Sequence, residues 1–223
     1  MLDMLGRLVT RSARASAVRD LGHGLRVITL VGPELRDVAW TPGDKVQVLL
    51  STRDVRTYTP SRWKGDELEL VAFDHGDAPG SAWSRAIAPG DELRFVGPQR
   101  SVRRHAERRV VLFGDETSFG LAVAFSGAPL ASVFEIGAAP YAEIVAGLGV
   151  ADAACVVRAP GDRHLVDVAA AIADGLRTHP GAELVMTGRA QSIRLVRDRL
   201  RTLGVGARPA NKAYWSVGKA GLD

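Results

Sequence analysis

Turn-forming tetrapeptides divide the N-terminal half of the chain into short segments, which limits the folds open to it. Three such turns are Thr41-Pro42-Gly43-Asp44, Trp63-Lys64-Gly65-Asp66 and Ala88-Pro89-Gly90-Asp91. Proline presets φ and glycine accepts a positive φ, so both residues favour chain reversal. The segments between the turns are rich in Val, Leu, Thr or Tyr and are predicted to be strands: Leu25–Val31, Val46–Ser51, Val55–Thr59, Glu67–Phe73 and Glu92–Val96. Many short strands with such turns predict an antiparallel barrel or sandwich.

From Arg109 onward the pattern changes to alternating strands and helices. Apolar runs typical of strands buried on both faces of a parallel sheet occur at Val110–Phe113, Ser132–Ile136, Ala154–Val157 and Leu184–Met186. Helical spacing relates Leu165, Val168, Ile172 and Leu176, and again Ile193, Val196, Leu200 and Leu203. A last strand is predicted at Tyr214–Val217. The second half is therefore predicted to be α/β, and the domain boundary is expected between Gly97 and Arg108.

Composition narrows the class of protein. A chain of 223 residues with 46% hydrophobic residues can bury a sizeable core in one large or two small domains. No apolar run approaches the roughly 18 residues that span a bilayer, so we expect no membrane insertion. Cys155 is the only cysteine and lies in an apolar run, which suits a small buried side chain in a reducing cytoplasm. No cluster of residues has metal-ligand spacing, so no bound metal is expected.

The segment Arg56-Thr57-Tyr58-Thr59-Pro60 carries the most chemical information. In a strand, alternation sends Arg56, Tyr58 and Pro60 to one face and the two threonines to the other. An arginine fork fits a phosphate, and a tyrosine can stack on an aromatic ring. A threonine hydroxyl or backbone N–H beside that ring could bond the flavin atom that receives hydride. The pattern indicates a flavin site, although plain strand packing explains the same residue types.

Further motifs follow along the chain, and the ordered set resembles a known family. The motifs are Arg56-Thr57-Tyr58-Thr59-Pro60-Ser61-Arg62-Trp63, His75-Gly76-Asp77, Gly80-Ser81-Ala82-Trp83, Gly114-Asp115-Glu116-Thr117 and Tyr214-Trp215. Together they resemble the siderophore-interacting proteins, FAD-containing ferric-siderophore reductases of the ferredoxin-reductase-like group. The resemblance implies an N-terminal antiparallel Greek-key β-barrel that binds FAD (1–103), followed by a three-layer α/β domain with a parallel sheet that resembles an NAD(P)H-binding domain (104–223).

The resemblance also implies roles for particular residues. The residues expected to bind the cofactor are Arg56, Thr57, Tyr58, Thr59, His75, Gly80, Ser81, Ala82, Trp83, Asp115, Thr117, Tyr214 and Trp215. Arg56 would pair with the FAD pyrophosphate, Tyr58 would stack on the isoalloxazine and Thr59 would bond near N5. Exposed backbone N–H groups at the start of a short helix near Gly80 would complete an anion cradle. Lys212, Lys219 and Arg100 are expected to help hold an anionic substrate.

The activity implied is reduction of a ferric siderophore to release ferrous iron in the cytoplasm. NADPH or NADH is the expected electron donor, and a ferredoxin is a further possible partner. Electron transfer to a chelate needs no general acid or nucleophile, so no catalytic residue is assigned. Hard oxygen ligands prefer ferric iron, and its reduction therefore weakens the chelate.

Other interpretations of the same residues stay open. The Gly114-Asp115-Glu116-Thr117 motif can simply start a helix, His75 can cap its own turn, and Trp83 or Tyr214-Trp215 can be core packing. No GxGxxG fingerprint is present. Arg189 stands where family members usually carry an acid; with Arg194 and Arg197 it would suit the extra phosphate of NADPH.

Two other functions also fit the sequence. One is a flavin reductase that acts on another acceptor. The other is a non-enzymatic protein that binds an anionic siderophore or nucleic acid through its arginine clusters, in a chain of formal net charge +4. Few aromatic residues accompany those clusters, so no nucleic-acid partner is expected.

Overall fold

The computed structural model describes residues 10–52, 54–105, 108–128, 130–206 and 208–218. The chain divides into two compact units on either side of the Ser101–Val102 bond. We call the first the barrel unit and the second the α/β unit. Within the described residues, no helix has the length and apolar character needed to cross a membrane.

Within the described part of the barrel unit, the chain forms seven antiparallel strands. They are β1 (Thr10–Gly22), β2 (Leu25–Val31), β3 (Lys45–Leu49), β4 (Val55–Tyr58), β5 (Pro60–Lys64), β6 (Glu67–Phe73) and β7 (Glu92–Gln99), with one helix, α1 (Pro79–Ala86), between β6 and β7. Their order in the sheet is β4-β3-β7-β1-β2-β6-β5. The two edge strands, β4 and β5, are separated only by Thr59, so the sheet curls until its edges meet at that residue.

The long connection through α1 places β7 between β3 and β1, which is a Greek-key arrangement. Alternate residues of the strands point inward and form the core of the barrel unit. Its largest buried side chains are Ile28, Leu30, Leu35, Leu68, Leu70 and Phe95. The predicted antiparallel barrel is confirmed.

The α/β unit is built on a five-stranded parallel sheet. Its strands are β8 (Val110–Gly114), β9 (Leu130–Ile136), β10 (Ala154–Val157), β11 (Glu183–Arg189) and β12 (Ala210–Trp215). Its helices are α2 (Phe119–Phe125), α3 (Pro140–Gly147), α4 (Leu165–Thr178) and α5 (Ala190–Thr202). The strand order is β10-β9-β8-β11-β12, so the chain reverses its direction of travel across the sheet between β8 and β11.

Helices cover both faces of this sheet, which gives three layers. On one face Val111 and Phe113 of β8 pack in a core with residues of α4 and α5. On the other face Phe119 of α2 meets Phe134 of β9 with ring centroids 5.0 Å apart in an edge-to-face arrangement. The predicted α/β class with a parallel sheet is confirmed.

Candidate functional site

Arg56 and Tyr58 lie on the same face of β4, as alternation predicts. Tyr58 is paired with Val46 and Arg56 with Val48, and both valines are fully buried. Residues directly opposite each other in a sheet share a face, so the arginine and the tyrosine are on the inward side of the barrel wall. Thr57 pairs with Gln47 and is on the outer side.

Helix α1 lies against this pair of side chains through Gly80. A Cβ added at Gly80 would be 3.3 Å from Cγ of Arg56 and 3.5 Å from the hydroxyl oxygen of Tyr58. The added Cβ would press on the Arg56 side chain and would touch the Tyr58 hydroxyl at ordinary contact distance. The lack of a side chain at Gly80 is therefore what lets the start of α1 approach β4 so closely.

The guanidinium of Arg56 has one close partner among the described residues, and that partner is uncharged. Its Nη1 donates to the carbonyl of Val55 at 2.7 Å, and the nearest carboxylate oxygen, on Asp54, is 4.0 Å away. The side chain is 25% exposed. A fixed positive charge with donors to spare is thus held beside the start of a helix.

Tyr58 and Trp83 form an aromatic pair at the same place. Their ring centroids are 5.3 Å apart with an interplanar angle of 50°. Burial raises the pKa of Tyr58 well above its ordinary value, and the nearby charge of Arg56 only partly opposes this. The phenol therefore stays neutral and keeps its proton at physiological pH.

The first turn of α1 offers backbone donors. Pro79 is the first helical residue, and none of the described side chains caps the helix. The N–H groups of Gly80 and Ser81 belong to the first turn, where no helical carbonyl is available to accept from them. They point out of the end of α1 that lies next to Arg56, which makes this end suitable for an anion.

Several side chains on and around α1 hold the helix in place through hydrogen bonds and an ion pair. The Ser81 hydroxyl is buried and accepts from the backbone N–H of His75 at 3.2 Å. Arg85 pairs with Asp74 at 2.7 Å and is the main reason that the pKa of this carboxyl is lowered. Arg26 donates to the last carbonyls of α1, including that of Ser84 at 2.9 Å.

The remaining predicted residues of the barrel unit occupy different settings. His75 is exposed in the loop after β6, with its ring centroid 5.8 Å from that of Phe73. Ala82 is exposed on α1, and Thr59 is half-buried between β4 and β5. Arg100 is exposed just after β7. Of the predicted residues of the barrel unit, the structure brings together Arg56, Tyr58, Gly80 and Trp83.

In the α/β unit, Asp115 immediately follows β8 and is fully buried. Its carboxylate accepts from the backbone N–H of Thr117 at 3.0 Å and from the hydroxyl of the same residue. It also accepts from the backbone N–H of Arg189 at 2.9 Å and from the indole N–H of Trp215 at 2.7 Å. One carboxylate therefore links the chain after β8 with the ends of β11 and β12.

Gly188 leaves the room that this carboxylate needs. Its φ is +93°, and an added Cβ would fall 2.6 Å from Oδ2 of Asp115. Burial raises the pKa of Asp115 to about 6, while its hydrogen bonds to Thr117 and Trp215 work in the opposite direction. Above that pH the carboxylate is ionised and accepts hydrogen bonds from four donors.

A buried ionic network lies beside Asp115, and the sequence analysis missed it. Arg158, just after β10, forms a two-pronged pair with Glu116 at 2.8 and 3.1 Å. Glu135 in β9 is fully buried and bonds Nε2 of His164 at 2.8 Å. Because Nδ1 of this histidine accepts from Ala159, its proton lies on Nε2 and the ring is neutral. A glutamate within the apolar run of a buried strand was the available signal, since a buried charge requires partners.

Arg189 points into this network. Its side chain is only 13% exposed, pairs with Asp162 and donates to the Ser192 hydroxyl at 2.6 Å. Its Nε lies 3.8 Å from Glu135. The guanidinium that the sequence suggested for the extra phosphate of NADPH is therefore already bonded by protein groups.

Tyr214 and Trp215 end β12, and both are half-buried. Lys212 lies in the same strand, opposite Thr187 of β11. Lys219, predicted to contact substrate, is outside the described residues. Across the residues that the structure describes, no three His, Cys, Asp or Glu side chains are placed to hold a metal ion.

Comparison with known families identifies the segment that carries these motifs in the barrel unit. Residues 51–102 match the siderophore-interacting FAD-binding domain. The match includes Arg56, Tyr58 and helix α1, and it confirms the resemblance found in the sequence. No curated protein sequence matches the chain.

Solved structures share the two-domain fold at low sequence identity. A siderophore utilization protein from T. fusca has 20% identity and a TM-score of 0.75, with 97% of this chain and 96% of that one covered. The siderophore-interacting protein from Acinetobacter baumannii has 15% identity and a TM-score of 0.74, over 95% and 92% of the two chains. Phthalate dioxygenase reductase has 12% identity and a TM-score of 0.72, over 94% and 70%. The fold is that of the ferredoxin-reductase-like proteins.

Proposed function

We propose that this chain is an FAD-dependent oxidoreductase that reduces a ferric siderophore in the cytoplasm and so releases ferrous iron. The observation that carries the proposal is the meeting of Arg56, Tyr58 and the start of α1 within the segment that matches an FAD-binding domain. NADPH, NADH or a ferredoxin is the candidate electron donor. The similarity to siderophore-interacting proteins supports the choice of acceptor.

The phosphate end of the site is formed by groups that are suited to an anion. Arg56 supplies a planar, permanently charged fork that lacks a close carboxylate. The N–H groups of Gly80 and Ser81 supply neutral donors at a helix start, where the helix dipole favours negative charge. These groups would hold the FAD pyrophosphate, and Gly80 would let its oxygens approach the backbone.

The aromatic end of the site would hold the flavin ring. Tyr58 presents a neutral phenol that can stack, and Trp83 sets its orientation from 5.3 Å away. Thr59, directly after β4, would bond near N5. Thr57 lies on the outer side of the barrel wall and is kept as a proposed cofactor contact. His75 and Ala82 border the site as further candidate contacts on the loop and on α1.

The resemblance also implies a cofactor-binding role for four residues of the α/β unit, and we keep that role as a proposal. They are Asp115, Thr117, Tyr214 and Trp215. Because Asp115 is buried and bonded to the Trp215 indole, any influence it has on a ligand acts through that indole. Tyr214 and Trp215 would contribute aromatic surface. Thr117 would act through its backbone, since its hydroxyl already bonds Asp115.

Bound FAD would supply the redox chemistry, because a flavin can take up two electrons and deliver them singly to two ferric chelates. The chain itself would bind the ring, leave its edge accessible and attract the negatively charged chelate. Arg100, Lys212 and Lys219 are the candidates for attraction of the chelate. No side chain is needed as a general acid or nucleophile for this step.

The test is a comparison of acceptors. Flavin-loaded protein is reduced anaerobically with dithionite, freed of excess reductant, and mixed with a ferric hydroxamate or catecholate in the presence of a ferrous trap. We expect faster flavin reoxidation with the ferric chelates than with free flavin or a quinone, and formation of two ferrous ions for each flavin reoxidised. Faster reaction with the quinone or with free flavin would assign the chain to a flavin reductase with another acceptor.

A further inference from the structure

The strand order of the α/β unit defines the position at which such sheets hold a dinucleotide. In open α/β sheets a ligand binds beyond the carboxyl ends of the strands, where the strand order reverses. Here the order reverses between β8 and β11. The residues at this switch point are Gly114 and Asp115 after β8, and Gly188 and Arg189 at the end of β11. A bound pyrophosphate would depend on backbone N–H groups at this place.

Those donors are already satisfied by the chain itself. The carboxylate of Asp115 accepts hydrogen bonds from the backbone N–H groups of Thr117 and Arg189, at 3.0 and 2.9 Å, and from the indole N–H of Trp215. The arrangement is an anion cradle in which the anion is a side chain. Gly188 has no Cβ and so provides the space for it.

The nearby cations are satisfied as well. Arg158 is bound by both oxygens of Glu116, and Arg189 is bound by Asp162. Among the residues that the structure describes, four carboxylates, those of Asp115, Glu116, Glu135 and Asp162, surround two guanidinium groups, so these six side chains carry two excess negative charges. His164 does not offset them, because its ring is neutral. A pyrophosphate brought to this position would meet repulsion rather than a vacant cation.

We propose that Asp115 excludes a pyridine dinucleotide from the switch point of the α/β unit, and that the electron donor is a redox protein. The second part rests on the proposed function, since it selects among the donors named there. A redox-protein donor agrees with the charge of residues 190–212, which contain six Lys or Arg and one Asp. Arg194 and Arg199 of α5 are exposed and form no ion pair with a described residue, so this surface would attract an acidic partner.

The first experiment titrates the full-length, flavin-loaded protein with NADPH, NADH and inorganic pyrophosphate by isothermal titration calorimetry. We expect no saturable binding of any of the three at millimolar concentration. Saturable binding of NADPH or NADH that pyrophosphate displaces would overturn the proposal. An anaerobic flavin reduction rate that saturates with NADPH or NADH concentration would overturn it equally.

The second experiment removes the internal anion. In Asp115→Ala the three N–H donors lose their acceptor, so inorganic phosphate or pyrophosphate should bind and raise the thermal unfolding temperature, which should not change in the wild type. Asp44→Ala is the matched control, because Asp44 is also buried and also accepts from a turn N–H, that of Thr41 at 3.0 Å. An equal phosphate response in both variants, or none in Asp115→Ala, would contradict the assigned cradle. If Asp115→Ala does not fold, the wild-type titration alone decides.

The two proposals fail in different ways. Dithionite-reduced protein needs no biological donor, so its reaction with a ferric chelate tests the proposed function alone. A protein that reduces the chelate and also binds NADPH saturably keeps its function and disproves the exclusion. A protein that takes up no flavin loses the proposed function, while titration of the flavin-free protein with NADPH, NADH and pyrophosphate still tests the exclusion.

Discussion

Arg56 in the barrel unit and Arg158 in the α/β unit are almost equally exposed, with 25% and 26% of their side chains accessible, but their partners differ. Arg56 has a backbone carbonyl and a carboxylate 4.0 Å away. Arg158 is held by two oxygens of the buried Glu116. The charge in the barrel unit is open to an external anion, whereas the charge in the α/β unit is used within the fold. The exposed fractions of the two side chains would not have distinguished these two roles.

The largest expected effect comes from breaking the internal pair of the α/β unit. Glu116→Ala removes the two-pronged partner of Arg158 and leaves this guanidinium with Asp115 at 4.0 Å and Glu135 at 3.8 Å. Loss of one partner of a buried pair costs up to about 3–5 kcal/mol. The free energy of unfolding, measured with urea, should fall by about that amount. Glu143→Ala, at an exposed position of α3, should change it by less than about 0.5 kcal/mol. Equal losses in both variants would mean that the pair is no stronger than a surface contact.

The pH dependence of stability should reveal the buried carboxylate of Asp115. Its pKa is raised from 3.8 to about 6, so between these values the folded chain binds the proton more tightly than the unfolded chain. The contribution of this group to stability is therefore greatest below about pH 4 and falls as pH rises through 6, by at most about 3 kcal/mol. Asp115→Asn has no group that titrates here and should lack this slope. A difference between wild type and variant that does not change with pH would contradict the assignment.

In the barrel unit, the corresponding change is Arg56→Ala. Removal of a charged donor to a phosphate should weaken FAD binding roughly 10- to 100-fold, measured by titration of the apoprotein with FAD. Arg62→Ala on the adjacent strand is the control, because its side chain is 65% exposed and pairs with Glu69 at 3.5 Å. Unchanged FAD affinity in Arg56→Ala would remove this residue from the site.

A smaller effect is expected from Gly80→Ala. The added methyl would lie 3.3 Å from Cγ of Arg56 and would have to displace that side chain. FAD affinity should fall by about tenfold or less. Gly147→Ala at the end of α3 meets no atom within 4 Å and should leave the affinity unchanged. If both variants bind FAD like the wild type, the close approach of α1 to β4 has no role in binding.

Local patterns in the sequence were sufficient for most of the fold. Strand β2 and strand β10 were predicted with their observed bounds, because apolar and β-branched residues dominate them. Strand β1 was missed: its thirteen residues are mostly small or charged, and only Ala13 and Ala15 are buried. This strand is specified by its pairing with β2 and β7, which no local pattern encodes.

The candidate site likewise contains residues that a local sequence pattern predicts and contacts that no local pattern predicts. Arg56 and Tyr58 could be assigned to one face because alternation in a strand is a local rule. The bond between Asp115 and Trp215 joins residues 100 positions apart and follows from the strand order, which the sequence did not provide. The arginine at position 189 was visible in the sequence, but the residues that bond its side chain were not. An arginine that looked available for a phosphate is bonded to Asp162.

The most direct test of the account is whether the folded chain takes up FAD through the barrel unit. The purified full-length protein is stripped of any flavin, titrated with FAD and followed by the change in flavin absorption and fluorescence, in parallel with Arg56→Ala. We expect equimolar, saturable uptake by the wild type and much weaker uptake by the variant. A folded wild-type chain that takes up no FAD, or one that binds it as well without Arg56, would contradict it.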